Sequence, residues 1–248
     1  MKPLLCSAFL LLTFSLNAQA PVPLAHDNVP GEPHHHLKIE NEYVRAYYVE
    51  VGPHSDTQLH QHDHDYLFVT LGATEVINAV LGKPEIKLSL KDGEARFTRG
   101  GFAHVARNLS DKPFRNVTIE LLKPQGEVKN LCAHVAASAQ AGDCPEFPTS
   151  SGGIHKKPLF ETGKTSLDLV SLDPSLNALS LRKEGLIVFL GDTQIQDNAI
   201  DAPKEKAVEG DVIWVAAGSG KLIWNSKKKD LNFLLLTFSG AGSAAKPQ

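Results

Sequence analysis

The chain has 248 residues, 25 basic and 28 acidic side chains, and a formal charge of −3. Its hydrophobic content of 42% can fill a sizeable core in one or two domains, and its balanced charge excludes a disordered acidic or basic tail protein. A pI of 6.4 argues against a dedicated nucleic-acid binder, which would carry a basic stripe.

Residues 1–20 read as a secretory signal peptide. Lys2 is followed by an apolar run from Leu4 to Leu16, too short to span a bilayer, and by Ala18-Gln19-Ala20, a small-x-small cleavage site. The mature chain is expected to start at Pro21, outside the cytoplasm, secreted or periplasmic. No later segment is long and apolar enough to cross a membrane. Residues 21–36 form a polar N-terminal arm ending in His34-His35-His36, read as solvated, with folding back over a neighbouring site as the alternative.

From there the chain reads as short β-rich runs broken by glycine, proline and charged turns: Val44 to Val51, Asp65 to Leu71, Ile86 to Leu90, Arg96 to Thr98 and Val117 to Leu122. Dense short strands of this kind predict an all-β sandwich or barrel. The only helical candidate is the alanine-rich stretch Cys132 to Gln140. Cys132 and Cys144 remain after leader removal, and an even count in an exported chain predicts a disulfide. It would pin a loop of eleven intervening residues; a pair of metal-binding thiolates is the alternative. This loop and a Ser/Gly-rich linker occupy residues 131–155.

The strand pattern then restarts. Gly93, Gly101 and Asn108 recur as Gly210, Gly218 and Asn225 at an offset of 117, and Asp65–Gly72 matches Glu184–Gly191 at an offset of 119. Ordered matches at two places predict two copies of one β-domain, residues 37–130 and 156–241, with a tail at 242–248.

The motifs resemble those of the cupin superfamily. Gly93 to Asn108 follows the second cupin motif, G-x5-P-x-G-x2-H-x3-N, except that Arg99 replaces the proline. Gly52, His60-x-His62, Asp65 and Gly72 resemble the first motif, with aspartate for glutamate and one residue fewer than usual after His62. The resemblance implies a bicupin, two tandem jelly-roll β-barrels.

His60 and His62, two apart on a strand, point to one face. The resemblance implies that His104 faces them from another strand, making His60, His62, His104 and Asp65 the ligands of one divalent ion: iron, manganese, copper, zinc or nickel. Asp65 shares its strand face with Leu67, Val69 and Leu71; the wholly apolar face, read as the interior, would carry Asp65 inside. The shortened turn leaves His64 as the alternative ligand. Asp65 is also placed to act catalytically as a proton acceptor. In the second copy Leu179, Leu181 and Lys221 stand at the matching positions and only the carboxylate persists, as Glu184, so that copy is expected to have lost its site.

These features imply an exported metal-dependent dioxygenase or related redox enzyme acting on a small organic molecule. The alternative is a non-catalytic extracytoplasmic binding protein for a metal, sugar or acidic metabolite; a storage-type structural bicupin is a weaker third reading. A homodimer is expected, because cupin edges often pair between subunits.

Overall fold

The computed structural model describes residues 27–135, 149–176, 178–181, 184–197, 202–216, 219–224 and 230–239. The leader, Cys144, Gly218 and Asn225 lie outside the described residues. Among the described residues, the only helical element is the 3-10 turn Val29–Gly31. The alanine-rich stretch was expected as helix: its first residues give instead a two-residue strand, His134–Val135, and the rest lies outside the described part.

The first barrel is built from β1 (Asp27–Asn28), β2 (His35–Glu40), β3 (Val44–Val51), β4 (His60–His62), β5 (Asp65–Leu71), β6 (Thr74–Val80), β7 (Ile86–Leu90), β8 (Ala95–Thr98), β9 (Phe102–Asn108) and β10 (Phe114–Leu121). Two sheets face each other, β1-β4-β9-β6-β7 and β8-β5-β10-β3-β2, the latter extended at its β8 edge by β12 (His134–Val135), which follows β11 (Val128–Asn130). The motif glycines Gly93 (φ +68°) and Gly101 (φ +87°) adopt the left-handed turns that side chains disfavour, and the Gly101 amide closes onto the His62 carbonyl at 2.7 Å.

The second barrel follows as β13 (Thr149–Ser151), β14 (Ile154–Thr162), β15 (Thr165–Leu172), β16 (Ala178–Leu181), β17 (Gly185–Phe189), β18 (Thr193–Asp197), β19 (Lys204–Ala207), β20 (Val212–Val215), β21 (Lys221–Trp224) and β22 (Leu231–Phe238). Its sheets run β11-β14-β15-β22-β17-β20 and β16-β21-β18-β19. The fold is all-β, with two jelly-roll barrels in tandem.

The barrels pack sheet against sheet. Leu67, Val69 and Ile119 from the first join Phe160, Leu186 and Leu234 from the second in one buried core. Phe97 lies 5.4 Å from Phe160, and Tyr43 stacks on Trp214 at 5.7 Å. The contact is reciprocal. A methyl group on Gly93 would touch Leu190 Cδ1 at 3.4 Å; one on its counterpart Gly210 would meet Leu71 Cδ1, counterpart of Leu190, at 2.7 Å. Self-complementary contact of this kind is what an approximate twofold between duplicated halves produces.

This packing explains why β5 and β10 are buried on both faces. Leu67, Val69 and Leu71 face the other barrel, while Tyr66 and Phe68 face their own cavity. The wholly apolar face is therefore the seam between barrels, not a barrel interior. The expectation that it carried Asp65 inside is corrected here.

The interior of the second barrel is filled by apolar side chains, among them Ile187, Phe189, Ile223 and Phe233, with Leu179 packed against them. The paired strands are also displaced relative to the first barrel. His60 lies opposite His104, whereas Leu179 lies opposite Ile223, and Lys221 opposite Leu181. A two-residue displacement keeps inward positions inward. Lys221 forms an ion pair with Asp197.

Candidate metal centre

Three of the sequence-predicted ligands come together inside the first barrel. β4 points His60 and His62 inward, and β9 sets His104 opposite His60. Their exposures are 1%, 2% and 9%. The rings of His60 and His104 are centred 4.6 Å apart, those of His62 and His104 5.2 Å.

The tautomers of two follow from their partners. His60 Nδ1 donates to the Gln58 carbonyl at 2.8 Å, and His104 Nδ1 donates to Asn78 Oδ1 at 2.7 Å. Each Nε2 then carries a lone pair, and both are buried without a hydrogen-bond partner, as is His62 Nδ1. Burial pushes the His60 imidazolium down to about 4 and that of His104 to about 3, with the neighbouring imidazoles adding to the effect. His62 is lowered well below its ordinary value, by burial first and then by the neighbouring imidazoles. Neutral imidazoles packed together with unpaired nitrogens are the donor set that zinc, copper, iron or nickel takes. A buried polar atom left unpaired costs about 1–3 kcal/mol, so the two Nε2 atoms of His60 and His104, on neighbouring rings, call for a guest, whereas His62 Nδ1 is turned to Glu120.

The other predicted ligands are elsewhere. Asp65 sits on the seam side of β5, where Oδ2 accepts from Arg99 Nη1 at 2.7 Å and Oδ1 from the Gly100 amide at 3.2 Å. Arg99, which replaces the motif proline, also bonds the Gly126 carbonyl. Asp65 is thus a structural ion-pair partner, and its roles as ligand and proton acceptor are corrected. His64 lies in the turn between β4 and β5 and does not line the cavity. The position that Asp65 misses by one residue is occupied by Tyr66, stacked on His62 with ring centres 3.9 Å apart.

Three residues at the site were not expected. His35, from the supposed arm, enters the barrel from β2, and His35, His60 and His62 each offer a ring nitrogen within 4.8 Å of one another. Glu32, 1% exposed, bonds His35 Nδ1 at 2.6 Å and His34 Nδ1 at 2.7 Å. Burial opposes its ionisation, but these hydrogen bonds and one from the Gln58 amide outweigh that and hold the carboxyl at about 2. Glu120 on β10 lies behind His62, with Oε1 3.8 Å from His62 Nδ1 and Oε2 3.6 Å from Arg45. Burial raises it to about 7, against the pull of Arg45. Glu120 left a signal in the sequence, a lone charge inside the run Val117 to Leu122.

The histidines close one end of a cavity of about 300 Å³. Its walls are mainly apolar, with Val49, Phe68, Val76 and Leu88, and polar at Asn116 and Thr118. Ile86, 55% exposed, marks where it opens. Arg96 is the one lysine or arginine in the lining, and its Nε is tied to Glu94 at 2.7 Å. No carboxylate lines the cavity among the described residues.

Two barrels packed back to back have counterparts among solved structures. AerE from Microcystis aeruginosa superposes with a TM-score of 0.53 at 10% identity, over 84% of this chain and 98% of that one. The chain has a bicupin fold. Oxalate decarboxylase from Bacillus subtilis, a protein with Mn(II) centres, gives 0.50 at 13% identity over 91% of this chain and 80% of its own. The 7S globulin of Momordica charantia gives 0.50 at 10% identity, over 82% and 81%. No family model matches the sequence, and no curated protein matches it either.

Proposed function

We propose that the first barrel of this bicupin holds one divalent transition-metal ion on His60, His62 and His104 and acts as an oxygenase or related redox enzyme on a small organic molecule. The observation that carries the proposal is the pair of buried, unpartnered Nε2 atoms of His60 and His104, with the ring of His62 beside them. A bound ion would supply Lewis-acid polarisation of a substrate oxygen or a place for dioxygen. The chain's own residues do the rest. Gln58 and Asn78 fix the tautomers of His60 and His104. Phe68, Val76 and Leu88 exclude water around the body of the substrate, and Asn116 and Thr118 offer hydrogen bonds to its polar groups. Neutral imidazoles leave the full charge of the ion uncompensated, which favours a substrate that brings an ionised oxygen, such as a phenol or a small acid.

The test is oxygen consumption by the metal-loaded mature protein against a panel of phenols and small organic acids, with product identified by mass spectrometry. Turnover that disappears in His62→Ala supports the enzyme. Ligand-induced thermal stabilisation with no product would overturn it in favour of a binding protein. Export completes the reading: residues 1–20 would be removed, so the N-terminus of protein recovered outside the cytoplasm should be Pro21. Recovery of the intact leader in the cytoplasm would contradict it.

A further inference from the structure

The N-terminal segment does more than cover the barrel. β1 runs parallel to β4, pairing Asp27 with His60 and Asn28 with Gln61. Val29 is fully buried and packs with Tyr47 and Val49. The chain then turns, and the His35 amide bonds the Glu32 carbonyl at 3.1 Å. This turn drops the Glu32 side chain into the protein, where its two oxygens take four bonds. Oε2 accepts from the His34 amide at 2.8 Å and His35 Nδ1 at 2.6 Å; Oε1 accepts from His34 Nδ1 at 2.7 Å and the Gln58 amide at 3.0 Å. Gln58 in turn fixes His60 through its carbonyl. One carboxylate therefore orients His35 directly and His60 through a single residue.

A carboxylate acceptor at Nδ1 leaves the His35 Nε2 lone pair available, and the side chain is 4% exposed, with its ring 4.8 Å from that of His60. Buried imidazoles whose far nitrogen is held by a carboxylate are the usual arrangement around protein-bound metals. We infer that His35 is a fourth imidazole ligand of the metal and that Glu32 is the positioning residue that presents it, so that the N-terminal segment 27–36 is part of the metal centre. This rests on the metal-binding reading above. It places a carboxylate behind a ligand, where Asp65 had been expected to be a ligand itself.

Co(II) titration of the metal-free mature protein, read by its visible absorption bands and by competition with a chromophoric chelator, tests this. Wild type, His35→Ala, Glu32→Gln and the exposed control His36→Ala are compared, with circular dichroism to establish folding. His35→Ala should weaken cobalt binding at least tenfold and shift the bands, since an oxygen donor replaces a nitrogen. Glu32→Gln should weaken binding about 10- to 100-fold, and His36→Ala should match wild type. Should Glu32→Gln not fold, limited proteolysis of the wild type supplies the second reading: cobalt should protect segment 27–34, and should not protect it in His35→Ala. Wild-type affinity and bands in both His35→Ala and Glu32→Gln, alongside loss of cobalt in His62→Ala, would overturn this inference alone. No cobalt uptake by the wild type would overturn it together with the metal-binding reading.

Discussion

Tyr66 lies face to face with His62, ring centres 3.9 Å apart and planes 14° from parallel, while the carboxylate of Asp65, one residue earlier, is turned to the other side of the same strand. Alternation along β5 permits only one of the two to face the histidines. Tyr66 buries an aromatic face against His62 and Asp65 secures Arg99 at the seam. Asp65→Asn should therefore leave metal content at the wild-type level and lower stability by about 1 kcal/mol or less, the scale of a partly exposed ion pair. Metal analysis and denaturant midpoints read the two effects separately. A metal-free Asp65→Asn protein would restore Asp65 to the ligand set.

The seam between barrels should dominate stability. Phe160 is 1% exposed and packs on Phe97 across the seam. Truncation of a buried phenylalanine typically costs about 3–5 kcal/mol. Phe160→Ala should show a loss of that size in equilibrium denaturation, and a loss under about 1 kcal/mol would mean that the barrels do not lean on each other.

Acid should destabilise the metal-free protein. His60 falls from its ordinary 6.5 to about 4 and His104 to about 3, because burial disfavours their charged forms. The unfolded chain thus binds protons that the folded one refuses. The stabilisation is complete above about 6.5 and is lost as pH falls towards 4, at roughly 3 kcal/mol or more per histidine. Glu120, raised to about 7, acts in the opposite sense between its ordinary 4.5 and 7, and the two histidines together outweigh it. Melting temperature should fall from pH 6.5 to pH 4, less steeply in His104→Gln and more steeply in Glu120→Gln. A flat profile in the wild type would contradict the buried, neutral state of these rings.

Cys132 lies beside the seam, and its amide meets the Leu159 carbonyl at 2.7 Å. A Cys132–Cys144 bond is expected in the exported protein. Thiol labelling of denatured, unreduced mature protein should find no free cysteine; two labelled thiols would rule the bond out.

Local sequence patterns carried the duplicated barrels; spacing on a strand set His60 and His62 on one face, and the motif resemblance of Gly93 to Asn108 added His104 to them. Asp65 was misread because strand spacing says which residues share a face, not what the face meets. β5 is apolar on both sides, and only the docking of the second barrel decides which side is the seam. His35 and Glu32 lie more than twenty residues before His60, and no spacing rule connects them to it. A run of three histidines reads equally as a solvated arm until the buried carboxylate that holds two of them is seen. The two-residue displacement of β16 against β21 was likewise hidden, since sequence offsets of 117 and 119 hint at it without saying which strand moves.

The central claim is a metal held by imidazoles in the first barrel. Elemental mass spectrometry of the purified mature protein, beside His104→Ala, tests it most directly. The account predicts about one divalent transition-metal ion per chain in the wild type and a large loss in a folded His104→Ala protein. A wild type that takes up no metal even after reconstitution, or a His104→Ala variant that retains it in full, would contradict the account.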